Sequence, residues 1–444
     1  MDDKKNKKEK KILIFILFFF VASIGVFLYS KLSSDEISPP KIDIENTDSN
    51  TINDEEQNVS LQESTEDNIS EETNDVEPEY TAEEYNGNYE EDTKNKTDLA
   101  YLVDNNAGSA KESPRPKGKR ISISITGLDG RLGRLSKHAD ANQVIIIFPD
   151  AGQIEIVSIP RDSYVNMGYA DSTNLNKLTI CRSNKGRAAY LKEVARIANL
   201  PKIDYWAEFS FSQAMGIIEF LGFKNPTNTL QILRSRKGLG GDDYQRCYTQ
   251  GQFIRQAMLS HFNKFTGMVG SVLVRAGLLF VETDMTADVA IDIIDKLEKA
   301  GFPKPESVNV KVRPPSKRTY KVYDFSDTTT ISKLSKKIEK FNKPRFENEI
   351  EPPQPKVNVA NRLNKVIIEA TSDSAKRPAV VISKLSPYFQ QRAWMQVSNK
   401  NERIKIRNDF QTLLVNAYRK RNNNDEADKV IAIIDAEKKL FGEN

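Results

Sequence analysis

Ile154-Glu155-Ile156-Val157-Ser158-Ile159-Pro160-Arg161-Asp162-Ser163 reads as a strand that stops at a proline and then presents a guanidinium and a carboxylate. Ile154, Ile156 and Ser158 repeat with a period of two, the signature of a strand. Just upstream, Val144 to Phe148 is continuously apolar, which fits a central strand. Asp150-Ala151-Gly152 between the two reads as a hairpin turn. Further upstream, Ile121, Ile123 and Ile125 alternate with Ser122 and Ser124, which predicts a strand with one wet face. Downstream, helical spacing runs over Arg187 to Leu200, stopped by Pro201, and over Ser212 to Leu221, ended by Gly222. Leu230 to Leu233 reads as a short strand, Gln250 to Phe262 as a helix and Thr286 to Lys299 as another, before a strand over Val308 to Val312. Helices interleaved with strands predict an α/β fold of the α+β sandwich type, with a central mixed β-sheet flanked by helices.

The ends of the chain differ from this middle. Six lysines (Lys4, Lys5, Lys7, Lys8, Lys10, Lys11) lie in a basic tail, 1–11, ahead of an apolar run from Ile12 to Tyr29. That run is about 18 residues, at the short edge of what spans a bilayer. It is long for a signal peptide and no Ala-x-Ala site follows it, so 12–30 reads as an uncleaved transmembrane helix. Lysines before it and mostly acidic residues after it predict a single-pass cell-membrane protein with its C-terminal part extracytoplasmic. Residues 31–117 read as a disordered acidic stalk, too poor in large apolar side chains to offset ordering entropy. The formal net charge of +3 hides this segregation. Without the stalk the folded part is clearly basic, which suits anionic partners such as head groups, diphosphates or acidic glycans. Nucleic acid is excluded by the expected side of the membrane. The folded domain is expected over 118–340, a Pro-rich linker over 341–358, and a helical C-terminal domain over 359–444. Within that domain Leu414, Ala417, Tyr418, Ala427, Ile431 and Ile434 are spaced like a single tetratricopeptide repeat or an ordinary helical hairpin.

The chemistry gathers where apolar runs end. Gly127-Leu128-Asp129-Gly130-Arg131 precedes Asp140, and Leu233-Arg234-Ser235-Arg236 precedes Asp243-Tyr244-Gln245-Arg246. Arginine suits phosphate because its planar fork offers several fixed donors. Carboxylates beside it suit a hard cation such as Mg2+, whose shell phosphate oxygens complete. The set therefore describes a site for a diphosphate and its metal. Read one at a time, the same residues also fit plainer roles. Arg161-Asp162 could be a structural ion pair, Arg234 and Arg236 one solvated strand face, and Asp140 a turn cap. Trp206 and Trp394 read as core. Cys181 and Cys247 are the only cysteines, and either a disulfide beside the site or two buried thiols is consistent with them.

In this order, the Gly-x-Asp-x-Arg strand end, the Asp opening the next strand, Ser-Ile-Pro-Arg-Asp, Arg-x-Arg and Asp-x-x-Arg resemble the LytR-CpsA-Psr family of bacterial cell-envelope proteins. Asp204-Tyr205 and Phe209 resemble its segment before the next helix. The resemblance covers roughly residues 118–330 and marks a divergent member. It implies a phosphotransferase that moves a glycopolymer from a polyprenyl diphosphate carrier to peptidoglycan or another envelope acceptor. It implies Asp129 and Asp140 as ligands of Mg2+ or Mn2+. Arg161, Arg234, Arg236, Arg246 and Arg131 would bind the diphosphate, with Asp162 and Asp243 orienting arginines or acting as a base. Such transfer needs positioning and neutralised charge more than covalent chemistry.

The departures are specific. His138 stands where the family commonly has Arg, Ala141 where it has Thr, and Lys177-Leu178-Thr179 where it has Lys-Ile-Asn. Thr249 stands before Gln250 where another Arg is usual. At least one phosphate donor is thereby lost, and Arg131, Arg134 or Lys137 lie near enough in sequence to replace it. Two other functions remain open: a non-catalytic module that captures an isoprenoid diphosphate or anionic glycan, and a pyrophosphatase on the same carrier. The charge asymmetry around Ile12 to Tyr29 makes one outcome definite. Protease added to spheroplasts should remove the stalk and everything beyond it, whereas full protection behind an intact membrane would reverse the expected topology.

Overall fold

The computed structural model describes residues 99, 101–111, 114–130, 132–134, 138–236, 239, 242–341 and 358–443. The expected anchor, most of the stalk, most of the linker and Arg131 lie outside the described residues; the end of the stretch expected to be disordered is instead ordered, with a strand over Leu102–Asp104 and Ala107 buried in the core. Among the described residues no helix is long and apolar enough to cross a membrane.

The elements run β1 (Leu102–Asp104), β2 (Ile121–Asp129), β3 (His138–Phe148), β4 (Gln153–Ile159), α1 (Leu178–Asn184), α2 (Gly186–Ile197), β5 (Tyr205–Phe209), α3 (Phe211–Leu221), α4 (Pro226–Arg234) and α5 (Asp243–His261). They continue with α6 (Gly267–Phe280), β6 (Glu282–Thr283), α7 (Ala287–Lys299), β7 (Val308–Val312), β8 (Tyr320–Val322), α8 (Thr328–Phe341), α9 (Val359–Asp373), α10 (Pro378–Gln390), α11 (Lys400–Lys420) and α12 (Asn424–Phe441). Six strands form one mixed sheet in the order β6-β5-β2-β3-β4-β7, while β1 pairs with β8 apart from it. β2, β3 and β4 are antiparallel neighbours, β5 runs parallel to β2, and β7 runs parallel to β4.

β3 is continuously apolar because both its faces are covered. Ile145 and Ile147 pack with Ile156, Val310, Cys247 and Tyr248 on the α5 side. Val144, Ile146 and Phe148 pack with Val157, Leu178, Cys181 and Tyr190 on the α1–α2 side. The two cysteines are free, buried, and in different cores with the sheet between them, so no disulfide braces the site.

Three expectations are corrected by this packing. The Ser122–Ser124 face of β2 is not wet: Ser122, Ser124 and Thr126 are 0%, 1% and 1% exposed. Burying such groups is costly unless they are paired. Thr126 Oγ1 meets Tyr190 Oη at 3.0 Å, and Tyr190 Oη donates to Asn142 Oδ1 at 2.7 Å. Alongside, Arg182 grips Glu208 through two bonds of 2.6 and 2.7 Å. Second, Leu230 to Leu233 is helical, part of α4, which opens with Pro226 in its first turn. A short apolar run does not by itself distinguish strand from buried helix. Arg234 therefore ends a helix and Arg236 lies beyond it, not on one strand face. Third, Trp206 is only partly covered at the sheet edge, with the Arg187 guanidinium 3.5 Å over its ring.

Beyond the linker, α9 to α12 share one core, which Phe280 of α6 also joins. Trp394, between α10 and α11, is fully buried against Phe389 and Phe410, each with ring centroids 5.7 Å away. Its Nε1 donates to the buried Glu437 carboxylate at 2.9 Å. Trp394→Ala should therefore cost about 3–5 kcal/mol of stability in urea denaturation, against well under that for Trp206→Ala. Equal costs for the two would place Trp394 outside the core that holds this unit.

Candidate functional site

β2 and β4 end, and β3 begins, at one edge of the sheet, so Asp129, Asp140 and Pro160-Arg161-Asp162 come together there. In sheets of this kind the carboxyl ends of strands are where ligands bind. β5 and β7, parallel to β2 and β4, finish at the same edge. α5 crosses the sheet closely enough to bring its first turn into the cluster. A Cβ at Gly251 would collide with Ser158 Oγ and Val310, so a glycine is required for that approach. Asp242 caps α5, accepting from Gln245 N at 2.8 Å. Asp243 and Arg246, three apart on the helix, then share one face and form an ion pair.

Asp243 is the hub. Its Oδ2 accepts the Arg161 backbone N–H at 2.6 Å, and its Oδ1 faces Arg246 and, at 3.6 Å, Arg236 Nε. Arg161 Nη1 donates to Asp140 Oδ1 at 2.6 Å. Asp162 lies between two guanidiniums without a close bond to either, at 3.8 Å from Arg161 and 3.7 Å from Arg236. Arg246 Nη2 also reaches the Asp140 carbonyl at 3.3 Å. Farther out, Arg234 lies 3.6 Å from Asp129, and both side chains are about half exposed, 51% and 49%.

The donors of this cluster are not used up. Arg161 Nε, Arg236 Nη2, Arg246 Nε and Ser163 Oγ are buried and make no hydrogen bond among the described residues; Asp243 Oδ1 makes none either and is held by ion pairing alone, to Arg246 and Arg236. Buried donors left in this way are costly and point to a missing acceptor. Burial, then the neighbouring Arg246 and Arg161 charges, hold the Arg236 pKa below the usual arginine value; Asp243 and Asp162 offset only part of this. Arg161 goes the other way. Burial opposes its charge, but Asp140, Asp162 and Asp243 outweigh burial and raise its pKa. Added negative charge beside Arg236 would therefore be favourable.

Asp129 and Asp140 come from the facing ends of β2 and β3, where Asp129 pairs in register with His138. Among the described residues no group of three or more His, Cys, Asp or Glu gathers to hold a metal. Two hard oxygens are nevertheless the number Mg2+ takes when phosphate and water complete its shell. The donor set fits an ion that arrives with a diphosphate, not one caged by the protein alone.

The edge brings together Asp140, Arg161, Asp162, Arg236, Asp243 and Arg246, with Asp129 and Arg234 at the rim. Lys177-Leu178-Thr179 serves this edge through its backbone, since Leu178 N bonds Ser163 O and Thr179 N bonds Arg161 O, both at 2.9 Å. His138 is exposed, and Thr249 is turned inward, bonding Gln245 O at 2.8 Å. Two residues were not singled out from sequence. Ser163 follows Arg161-Asp162 directly. Arg313 is buried where β7 ends, its N–H donating to Ser158 O at 3.0 Å. Its signal was available, because Val308 to Val312 also closes on Arg and then Pro314.

Residues 74–222 match the model of the LytR_cpsA_psr family. The match contains Asp129, Asp140, Arg161 and Asp162 and stops before Arg234. No curated protein matches the chain. Among solved structures, TagV of B. subtilis is similar at 17% identity, covering 51% of this chain and 98% of its own, with a TM-score of 0.36. Protein gbs0355 of Streptococcus agalactiae is similar at 15% identity over 52% and 90%, TM-score 0.36. A structure described as TagT bound to LI-WTA is similar at 16% identity over 53% and 96%, TM-score 0.32.

Arg161→Ala should weaken binding of an isoprenoid diphosphate roughly ten- to a hundred-fold, the worth of a charged hydrogen bond. Arg161→Lys should weaken it less, because the charge survives while the fork is lost. Unchanged affinity in a folded Arg161→Ala protein, by titration calorimetry, would leave Arg161 as a structural ion-pair residue.

Proposed function

We propose that the chain is a membrane-anchored, extracytoplasmic phosphotransferase. It moves a glycopolymer from a polyprenyl diphosphate carrier to peptidoglycan or another envelope acceptor. The observation that carries this reading is the convergence of unused buried donors, Arg161 Nε, Arg236 Nη2, Arg246 Nε and Ser163 Oγ, on one edge of the sheet. A ligand with many acceptor oxygens on a small centre meets that demand.

In the proposed step an acceptor hydroxyl attacks the phosphorus that bears the glycan. The bond from that phosphorus to the bridging oxygen breaks, and polyprenyl phosphate leaves. Arg161, Arg236 and Arg246 donate to the non-bridging oxygens as charge spreads over them. Asp243 orients those arginines, since its oxygens are already committed to Arg161 N and Arg246. Asp162 is the more exposed carboxylate and is held only loosely, so it is the group placed to take the hydroxyl proton. Asp129 and Asp140 would hold Mg2+ or Mn2+, which on binding neutralises diphosphate charge and supports the leaving group. The need is electrostatic. Arg161, Arg236 and Arg246 already face Asp140, Asp162 and Asp243, which offset part of their charge, so a further cation would help hold a multiply charged ligand. The altered positions His138 and Thr249 favour a second reading, a module that binds the diphosphate without turning it over.

Asp140→Asn separates the readings. With labelled lipid-linked glycan and peptidoglycan, the unmodified chain should transfer glycan only with Mg2+ present, and Asp140→Asn should lose transfer by at least about a hundred-fold. Mg2+-indifferent diphosphate binding that rises in Asp140→Asn would overturn the metal assignment. Binding without any transfer would establish the module instead.

A further inference from the structure

We propose that the C-terminal helical unit positions the outer wall of the site, and that Gln391 is the positioning residue. The inference rests on the diphosphate reading of that site. The outer wall is the Asp129–Arg234 pair. A half-exposed pair 3.6 Å apart is too weak to fix its own geometry. The two segments that carry it both lead to Gln391.

The first carrier is the loop that follows Asp129. Gln391 Oε1 accepts Gly133 N at 2.9 Å, and its Nε2 donates to Arg134 O at 2.7 Å. The amide thus uses both ends on one turn of backbone. Gly133 is in the left-handed region at φ +76°, and a Cβ there would collide with the Tyr388 ring of α10. Leu132 packs into the C-terminal core. The second carrier is the start of α3. Ser210, which caps α3, donates through Oγ to the Gln391 carbonyl at 2.9 Å. The next residue, Phe211, puts its ring 4.9 Å under the Arg234 guanidinium. One buried glutamine, 4% exposed, therefore ties the loop after Asp129 to the support of Arg234. The inner arginines are left to the diphosphate, and Gln391 has the placing of Asp129 and Arg234.

The test uses the full-length chain in detergent, with farnesyl diphosphate plus Mg2+ as probe and amide exchange at Gly133 as a second readout. Gln391→Leu should weaken the probe about ten-fold and speed Gly133 exchange by a similar factor. Gln391→Glu keeps the acceptor for Gly133 and should show a smaller effect on both. In an Arg234→Ala background, Gln391→Leu should add less than about two-fold, because the two act through one wall. Gln396→Leu, which cuts a different tether to Ser212 Oγ, should lower the melting temperature and leave affinity within about two-fold. The positioning role is overturned if Gln391→Leu folds and binds the probe normally, or if its loss is the same with and without Arg234. If the unmodified chain does not bind the probe at all, the phosphotransferase reading falls instead. Gly133 exchange then decides the positioning role alone, and unchanged exchange in Gln391→Leu overturns it.

Discussion

One carboxylate joins the parts that make the site. Asp243 stands at the start of α5 and accepts the backbone N–H that follows β4. Both positions need it for elementary reasons. A strand that stops at Pro160 leaves the Arg161 amide without a ladder partner. The first turn of a helix welcomes a negative charge. The same oxygens face Arg246 and Arg236, so the joint between sheet and helix is also the counter-charge of the cluster. Without it three guanidiniums would crowd one another with less to oppose them, and Arg236, already a weakened base, would suffer most. Fold and charge arrangement at this edge are a single construction.

Much of that construction was legible from residues. Arg161, Asp162, Asp140, Asp243 and Arg246 stand where apolar runs end, and run-ends along one mixed sheet must emerge at its edges. β3 announced itself by an unbroken apolar run, and Gly222 and Pro201 marked where helices finish. What escaped notice escaped for physical reasons. Leu230 to Leu233 is too short for its period to show, and Pro226, the cue for a helix start, precedes it by several residues. Ser122, Ser124 and Thr126 follow the alternation of a solvated strand because the pattern records polarity, not access. Their partners Tyr190 and Asn142 come from elsewhere in the chain. Gln391 is invisible for the same reason: its partners at Gly133 and Arg134 are more than 250 positions away, at separations of 258 and 257.

The site grades from inside to outside. Arg246 is buried, Arg161 and Asp140 are partly covered, and Asp129 and Arg234 stand about half in water. Charges act more strongly in the drier part, where the effective dielectric is lower. The inner group therefore holds by electrostatics, while the outer group depends on being held. The family departures fall along the same gradient. His138 lies on the wet side opposite Asp129, where a lost guanidinium costs little. Thr249 lies buried within α5, its hydroxyl satisfied by its own helix.

The polar layer beneath α2 has a consequence for how the two halves of this edge stay aligned. Apolar contacts tolerate sliding, because one methyl substitutes for another. Hydrogen bonds do not, because each has a direction and a fixed length. Thr126 and Asn142 lie on neighbouring strands, paired in register, and both meet the same Tyr190 hydroxyl. A shift of β2 against β3 by one residue would turn Thr126 away and strand that hydroxyl in the dry interior. The tyrosine therefore acts as a ratchet pawl between the strands. It fixes the register of β2 on β3 at Thr126 and Asn142, from which the strands run on, through the irregularity after Gly127, to Asp129 and Asp140, and it touches neither.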